Sequence, residues 1–238
     1  MIIIKKLIRW IVGLFFGSTI LVVVLYKFLP VYFTPLMFIR AIDNIGTEKS
    51  VFWHHTWVEL DDMSPYMPVA VIASEDQRFM KHHGFDFDAI EQAAAYNERH
   101  KTADGKSTKI RGASTITQQT AKNVFLWPGN SVIQRWVRKG FESYFSVLIE
   151  LIWGKERIMQ VYLNSIEMGD GIYGVQAVAE QNFNCNADKL TRSDCALIAA
   201  TLPNPRKFSS KYPSSYMLRR QRAIAAQMHF ISLFGTEK

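Results

Sequence analysis

Cysteine is almost missing from this chain: Cys185 and Cys195 are the only two in 238 residues. Two are too few for a disulfide scaffold, so a globular body has to rest on its apolar core. They either pair with each other or stay as buried thiols, and the sequence leaves both open. Alternating apolar and polar stretches are scarce, which excludes a fold dominated by sheets. No P-loop, no H-E-x-x-H and no paired C-x-x-C occurs, which removes the usual nucleotide-phosphate, zinc-protease and zinc-finger chemistries. A G-x-G-x-x-G does occur, from Gly169 to Gly174, with Asp194 further on. Its context does not suit a dinucleotide site: helical periodicity precedes it and Asp194 opens a helix, so it is a glycine-bearing turn. Acids are in deficit, with 21 Asp and Glu against 28 Lys and Arg, giving a net charge of +7. That balance favours anionic partners such as phosphates or acidic lipid. No basic stripe interleaved with aromatics is present, so nucleic acid is not an expected partner.

What the chain has is apolar mass. Hydrophobic residues make up 48% of it, enough for a sizeable core and too much for disorder. The length suits one domain with an appendage. Leu7 to Leu29 is mostly apolar, and Trp10 to Tyr26 carries no charge. As a helix this segment spans about 35 Å, enough for the hydrocarbon of a bilayer. Lys5, Lys6 and Arg9 precede its core, against Lys27 and Arg40 after it. The cation excess predicts a cytoplasmic N-terminus and a body on the other side. A cleaved signal peptide is disfavoured, because the apolar core is long and bulky residues, Tyr26 to Pro30, stand where a small-x-small site would be. Three regions follow: residues 1–29 as cytoplasmic tip and membrane anchor, 30–66 as membrane-proximal connector, and 67–238 as the functional domain. Val31 to Ile39 stays apolar and aromatic, either lying in the outer leaflet or serving as a buried connector.

The remainder reads as mainly α-helical. Asp86 can cap a helix through Glu98, and Ser114 or Thr115 can open another through Asn123. Phe141, Tyr144, Phe145, Leu148 and Ile152 recur at helical spacing and predict a helix from Val137 to about Trp153. Lys155 to Asn164 makes another. Thr191 to Asp194 resembles a capping box ahead of Cys195 to Leu202, and Ser214 or Ser215 opens a last helix reaching Gly235. Glu98 to Arg111 is a polar run with the composition of a loop.

Two stretches carry chemistry. The first, Glu75 to Asp86, sets two adjacent acids, Glu75 and Asp76, beside Arg78, Phe79, His82 and Gly84, directly after the apolar run Pro68 to Ala73. An acid at the edge of an apolar wall is a setting for general-base chemistry. The second, Gly112 to Asn123, is dense in hydroxyls and amides and contains Ser114, Thr115, Thr117, Gln118, Gln119, Lys122 and Asn123. Such groups suit sugar hydroxyls and a phosphate better than a packed core. A basic pair, Arg138 and Lys139, is followed by Glu142.

These stretches resemble the peptidoglycan glycosyltransferases of family 51 in their monofunctional, membrane-anchored form. The pattern E-D-x-x-F-x-x-H-x-G is met by Glu75, Asp76, Phe79, His82 and Gly84. G-x-S-T-I-T-Q-Q-x-x-K-N is met from Gly112 to Asn123, and R-K-x-x-E by Arg138, Lys139 and Glu142. Tyr162-Leu163-Asn164, the turn at Gly169 to Gly171 and Leu202 to Pro205 continue the resemblance, which covers roughly residues 65 to 230. The chain departs from the pattern at Asn182, at Asp194, and at Gln134 and Arg135, where many members place an arginine before the R-K pair.

The resemblance implies a lysozyme-like helical domain behind a single N-terminal transmembrane helix. It implies an enzyme of the bacterial inner membrane, with a periplasmic catalytic domain, that polymerises lipid II into glycan strands. Its partners would be lipid II, the growing strand, membrane lipid, and cell-wall synthesis or division proteins. Glu75 is the expected base and Glu142 the second acid, which orients a donor, binds a metal, assists the leaving group, or simply pairs with Arg138 at i, i+4. Lys122, Arg138 and Lys139 are the candidates for the diphosphate. Asp76, Phe79, His82, Ser114, Thr115, Gln118, Gln119 and Asn123 complete the candidate substrate site. A divalent ion, Mg²⁺ or Mn²⁺, is implied by the family, although no ligand set in the sequence demands one, and no organic cofactor is expected. The S-x-x-K and K-T-G signatures of penicillin-type acylation are missing, so no transpeptidase activity is expected. The competing alternatives are a lysozyme-like enzyme that cleaves wall and a non-enzymatic scaffold.

Overall fold

The computed structural model describes residues 2–47, 51–101, 111–129 and 131–231. Helix α1, Ile2–Phe28, is the apolar N-terminal segment, and it is long and apolar enough to cross a membrane. It ends just ahead of Pro30, which lacks the N–H a helix needs. Helix α2, Pro35–Asn44, follows, capped by Thr34 and with Pro35 at its first position. The apolar stretch behind the anchor therefore divides. Val31 and Met37 are fully buried, whereas Tyr32, Phe33 and Phe38 are exposed.

Helices α3 (Tyr66–Glu75), α4 (Phe87–Arg99), α5 (Ile116–Phe125), α6 (Val132–Ile152) and α7 (Lys155–Ser165) come next. After them stand α8 (Val175–Val178), α9 (Arg192–Thr201) and α10 (Ser215–Gln227). Strands are few and short: β1 (His54–His55), β2 (Glu167–Gly169) and β3 (Ile172–Tyr173) form one sheet in the order β1-β3-β2. β1 pairs parallel to β3, and β2 pairs antiparallel to it. The glycine-bearing turn is this β2–β3 hairpin. The connector is tied to the body by β1 and by Asn164, whose amide both donates to Val58 O and accepts from Val58 N, among other contacts. The fold is mainly α.

Two sets of helices build one continuous core. Helix α9 is buried from Cys195 to Thr201, with Cys195, Ala196, Ile198, Ala199 and Ala200 at 0% exposure, and it lies between α3 and α10. Its small residues let those neighbours approach closely. Helix α5 packs on α6 and α7 in the second group. Both cysteines are free thiols, and burial pushes the Cys195 thiol up to about 12.

Capping decides most helix starts. Asp86, Thr115, Thr191 and Ser214 all accept from the first turn, as their positions in the sequence suggest. Helix α6 departs from expectation. It begins at Val132 rather than Val137, because Ser131 and Gln134 form a capping box one turn before the apolar stripe starts. Glu142, for which pairing with Arg138 was one open reading, is instead bonded by Lys139, whose Nζ donates to its Oε1 at 2.5 Å, an i, i+3 contact. The expected extension of the last helix to Gly235, and most of the polar run before Arg111, lie outside the described residues.

Candidate active site

Helix α3 ends at Glu75 because Asp76 turns extended, with φ −160°. The Asp76 carboxylate then stitches two distant segments together. It accepts the N–H of Ile116 at 3.0 Å, at the start of α5, and His82 Nε2 at 2.9 Å. Thr115 adds a second stitch: it caps α5 through a capping box with Gln118 and donates its hydroxyl to Gly84 O at 2.6 Å. Gly84 sits at φ +86°, and a Cβ there would stand 3.2 Å from Glu150 Cγ. Glu150 in turn accepts from Thr117 Oγ1 and from Lys155 Nζ, both at 2.6 Å. The Lys155 ammonium lies 4.5 Å from the Phe79 ring centroid, so the aromatic of the first stretch supports the second from below.

This stitching brings Glu75, half-buried, against Gln119. The Gln119 Nε2 donates to Glu75 Oε2 at 3.0 Å, and Ser74 Oγ donates to Glu75 Oε1 at 3.1 Å. The orientation of the Gln119 amide is fixed from behind, since Tyr162 OH donates to its Oε1 at 3.1 Å. Burial, with smaller contributions from Glu75 and Asp76, raises the Tyr162 hydroxyl well above its ordinary pKa, so it stays a donor at neutral pH. The Ser74 hydroxyl has one proton and two acceptors in reach, Glu75 and Ala199 O at 3.3 Å. It is held by Arg220 Nη2, which donates to it at 3.3 Å.

Two cavities are linked across this wall by the Gln119–Glu75 hydrogen bond. The first, about 310 Å³, is lined by Glu75, Asp76, Arg78, Arg111, Ser114 and Thr115 among others. The second, about 210 Å³, is lined by Gln119, Lys122, Asn123 and Arg138, with Trp127, Pro128 and Leu202 as apolar wall. Gln119 belongs to the second cavity and bonds the carboxylate of the first. Lys122 is lowered from its ordinary 10.5, first by burial, with Glu142 opposing and Arg138 and Lys139 reinforcing. The same lysine senses Glu75. Gln119 therefore links the wall that carries Glu75 to the cavity that carries Lys122 and Arg138.

The remaining candidates divide. Ser114 is exposed on the first cavity, and Asn123 lines the second while donating to Gln119 O at 2.8 Å. Phe79 is fully buried, and Phe79, His82 and Gln118 line neither cavity, their positions being those of supports. Glu142 and Lys139 also line neither, being bonded to each other beside Lys122. Asn182, where the sequence departs from the family pattern, donates to Ser210 Oγ at 2.8 Å. Sequence reasoning missed Ser74, Arg220 and the role of Tyr162. Tyr162 stands in a quoted motif, but nothing local announces Arg220. Among the described residues no three His, Cys, Asp or Glu side chains come together to hold a metal, and the Glu142 carboxylate is occupied by Lys139.

A family profile described as transglycosylase matches residues 43–229. A protein of Bacteroides thetaiotaomicron named biosynthetic peptidoglycan transglycosylase is 56% identical over 97% of this chain and 90% of its own length. Proteins of the same name from Bdellovibrio bacteriovorus and Caulobacter vibrioides are 51% and 47% identical, covering 91% and 87% of this chain and 83% of each relative.

Proposed function

Because the chain belongs to the transglycosylase family, we propose that the groove between Glu75 and Lys122 polymerises lipid II into the glycan strands of peptidoglycan. The observation that carries this assignment is Gln119, one side chain that holds the carboxylate and lines the cationic cavity.

The reaction needs a base at the acceptor hydroxyl and positive charge at the departing diphosphate. Glu75 takes the proton of the acceptor sugar hydroxyl. The freed oxygen attacks the anomeric carbon of the donor from the face opposite the diphosphate, the bond from that carbon to the phosphate oxygen breaks, and polyprenyl diphosphate leaves. Configuration at the anomeric carbon inverts, and the proton on Glu75 passes to solvent before the next turnover. Gln119 and Ser74 hold both carboxylate oxygens, leaving Glu75 little freedom to turn away from the acceptor. Lys122 and Arg138 meet the negative charge that grows on the diphosphate, and Lys139 with Glu142 fixes the field around Lys122. Ser114 and Asn123 offer neutral groups to the sugars. A divalent ion, if one takes part, would arrive with the diphosphate, because no cluster of described side chains would hold it.

The body works beside a membrane. Helix α1 provides the anchor, the cation excess at its N-terminal end sets that end in the cytoplasm, and the catalytic body lies in the periplasm. Protein partners in wall synthesis or division would meet the same anchored body.

Purified full-length protein should convert labelled lipid II into long glycan, and Glu75→Gln should lower that rate by at least about 100-fold. Wild-type rates in that variant would remove Glu75 from its role. Release of soluble fragments from finished wall without polymerisation would replace synthesis by cleavage.

A further inference from the structure

We infer that Arg40, on the helix that follows the anchor, is a third cation of the diphosphate site, and this rests on the polymerase assignment above. Arg40 lies outside every sequence motif named here. It is nevertheless in the wall of the cavity that holds Lys122 and Arg138. The local sequence explains why. Thr34 and Pro35 start α2 at a fixed place, Leu36 and Met37 bury one side, and α2 packs on α5, the helix that carries Lys122. Arg40 stands in the second turn, on the cavity.

Charge points the same way. Among the described residues three cations line this cavity, and Glu167 is the one acid in its wall. Arg40 Nε lies 3.8 Å from Glu167 Oε2, an ion-pair distance beyond a hydrogen bond. The Nε atoms of Arg40 and Arg138 are both buried and make no hydrogen bond. Buried guanidinium donors without acceptors are costly, and an anion in the cavity would satisfy them. The leaving diphosphate gains a further negative charge as its bond to the sugar breaks, so a third cation acts most in the transition state. Gln134 and Arg135, the nearest sequence candidates for such a cation, do not line the cavity: Gln134 caps α6 and Arg135 is exposed. The substrate is lipid-borne, and Arg40 is supplied by the helix immediately after the anchor.

The test uses the full-length protein in detergent, with inorganic pyrophosphate as the calorimetric probe and lipid II as substrate. Arg40→Gln should weaken pyrophosphate binding about tenfold and lower kcat/KM by a similar factor, whereas Arg40→Lys keeps the charge and should retain most of both. Glu167→Gln removes the competing carboxylate and should tighten pyrophosphate binding. A purely structural Arg40–Glu167 pair predicts instead that Arg40→Gln and Glu167→Gln weaken binding together, with matching losses in melting temperature, and that result overturns the inference. Wild-type protein that polymerises lipid II but does not bind pyrophosphate, or an Arg40→Gln variant equal to wild type in both assays, also overturns it. Wild-type protein that fails to polymerise lipid II overturns the polymerase assignment itself.

Discussion

In the proposed mechanism Lys122 has to be charged to meet a diphosphate, yet burial lowers its pKa and shifts it toward the neutral amine. Burial outweighs the attraction of Glu142 and Glu75, and Arg138 and Lys139 add repulsion. Between its lowered folded value and the ordinary 10.5, the unfolded chain binds more protons than the folded one. Stability therefore rises with pH through that window, because a strained buried ammonium is relieved. Activity runs the opposite way: as pH climbs through the window, the free enzyme loses the cation that greets the substrate, and kcat/KM falls at a pH below 10.5. Lys122→Arg keeps a charge that does not titrate in this range, so its alkaline fall should be displaced upward even where its peak rate is lower. Superimposable alkaline limbs for wild type and variant would show that another group sets the profile. At this scale the sequence was informative where chemistry is contiguous. Glu75, Gln119 and Lys122 stand in dense polar stretches that a core would not tolerate without purpose. Ser74 and Arg220 were not legible, since a serine beside an acid is ordinary and its arginine partner is 146 residues away.

Helix starts were readable wherever one polar cap faces one apolar run, as at Asp86, Thr115 and Thr191. Helix α6 was not, because Val132, Ile133, Trp136 and Val137 are all exposed and give no inward-facing rhythm before the stripe begins at Phe141. The β2–β3 hairpin was legible as a turn but not as a sheet, since its strands are two and three residues long. Gly174 shows why this turn matters for the groove. Its φ is +81°, and a Cβ would come within 2.5 Å of Asn164 O. Asn164 closes α7 onto the connector, and α7 also carries Tyr162, which aims Gln119. Gly174→Ala therefore strains a backbone region nearly reserved for glycine and pushes on a carbonyl that has no room to retreat, costing about 1–3 kcal/mol. The melting temperature should drop by several degrees and polymerisation should fall with it. An unchanged melting temperature would mean that the α7–hairpin contact is looser than its distances imply.

At the scale of the whole molecule, the anchor is docked on the body rather than tethered to it. Tyr144 OH and Thr19 Oγ1 are 2.8 Å apart, Trp153 Nε1 donates to Val23 O at 2.7 Å, and Arg157 Nη2 donates to Tyr26 O at 2.8 Å. Phe15 lies beside Phe141 and Tyr144, with ring centroids 5.8 and 5.9 Å away. Phe15 and Thr19 of α1 meet Phe141 and Tyr144 in the middle of α6, and Val23 meets Trp153 just past its end, so the two helices run in the same direction. With α1 crossing a bilayer, the first turns of α6 would point toward it. There Ile133 and Trp136 are 76% and 75% exposed, an arrangement wasteful in water and favourable in lipid. Arg138, which lines the cavity proposed for the diphosphate, follows within one turn. Entry of the first turns of α6 into the bilayer would bring that cavity to the level at which a lipid-borne diphosphate resides. Burying Ile133 alone contributes about 1.5 kcal/mol or more, a factor of about ten. The double change Ile133→Ser with Trp136→Ser should then lower polymerisation of long-chain lipid II in vesicles by at least about tenfold. The same protein should act almost normally on a short-chain, water-dispersed analogue, because the groove residues are untouched. Equal losses on both substrates would show that these side chains support the fold of α6 and not its seat in the membrane.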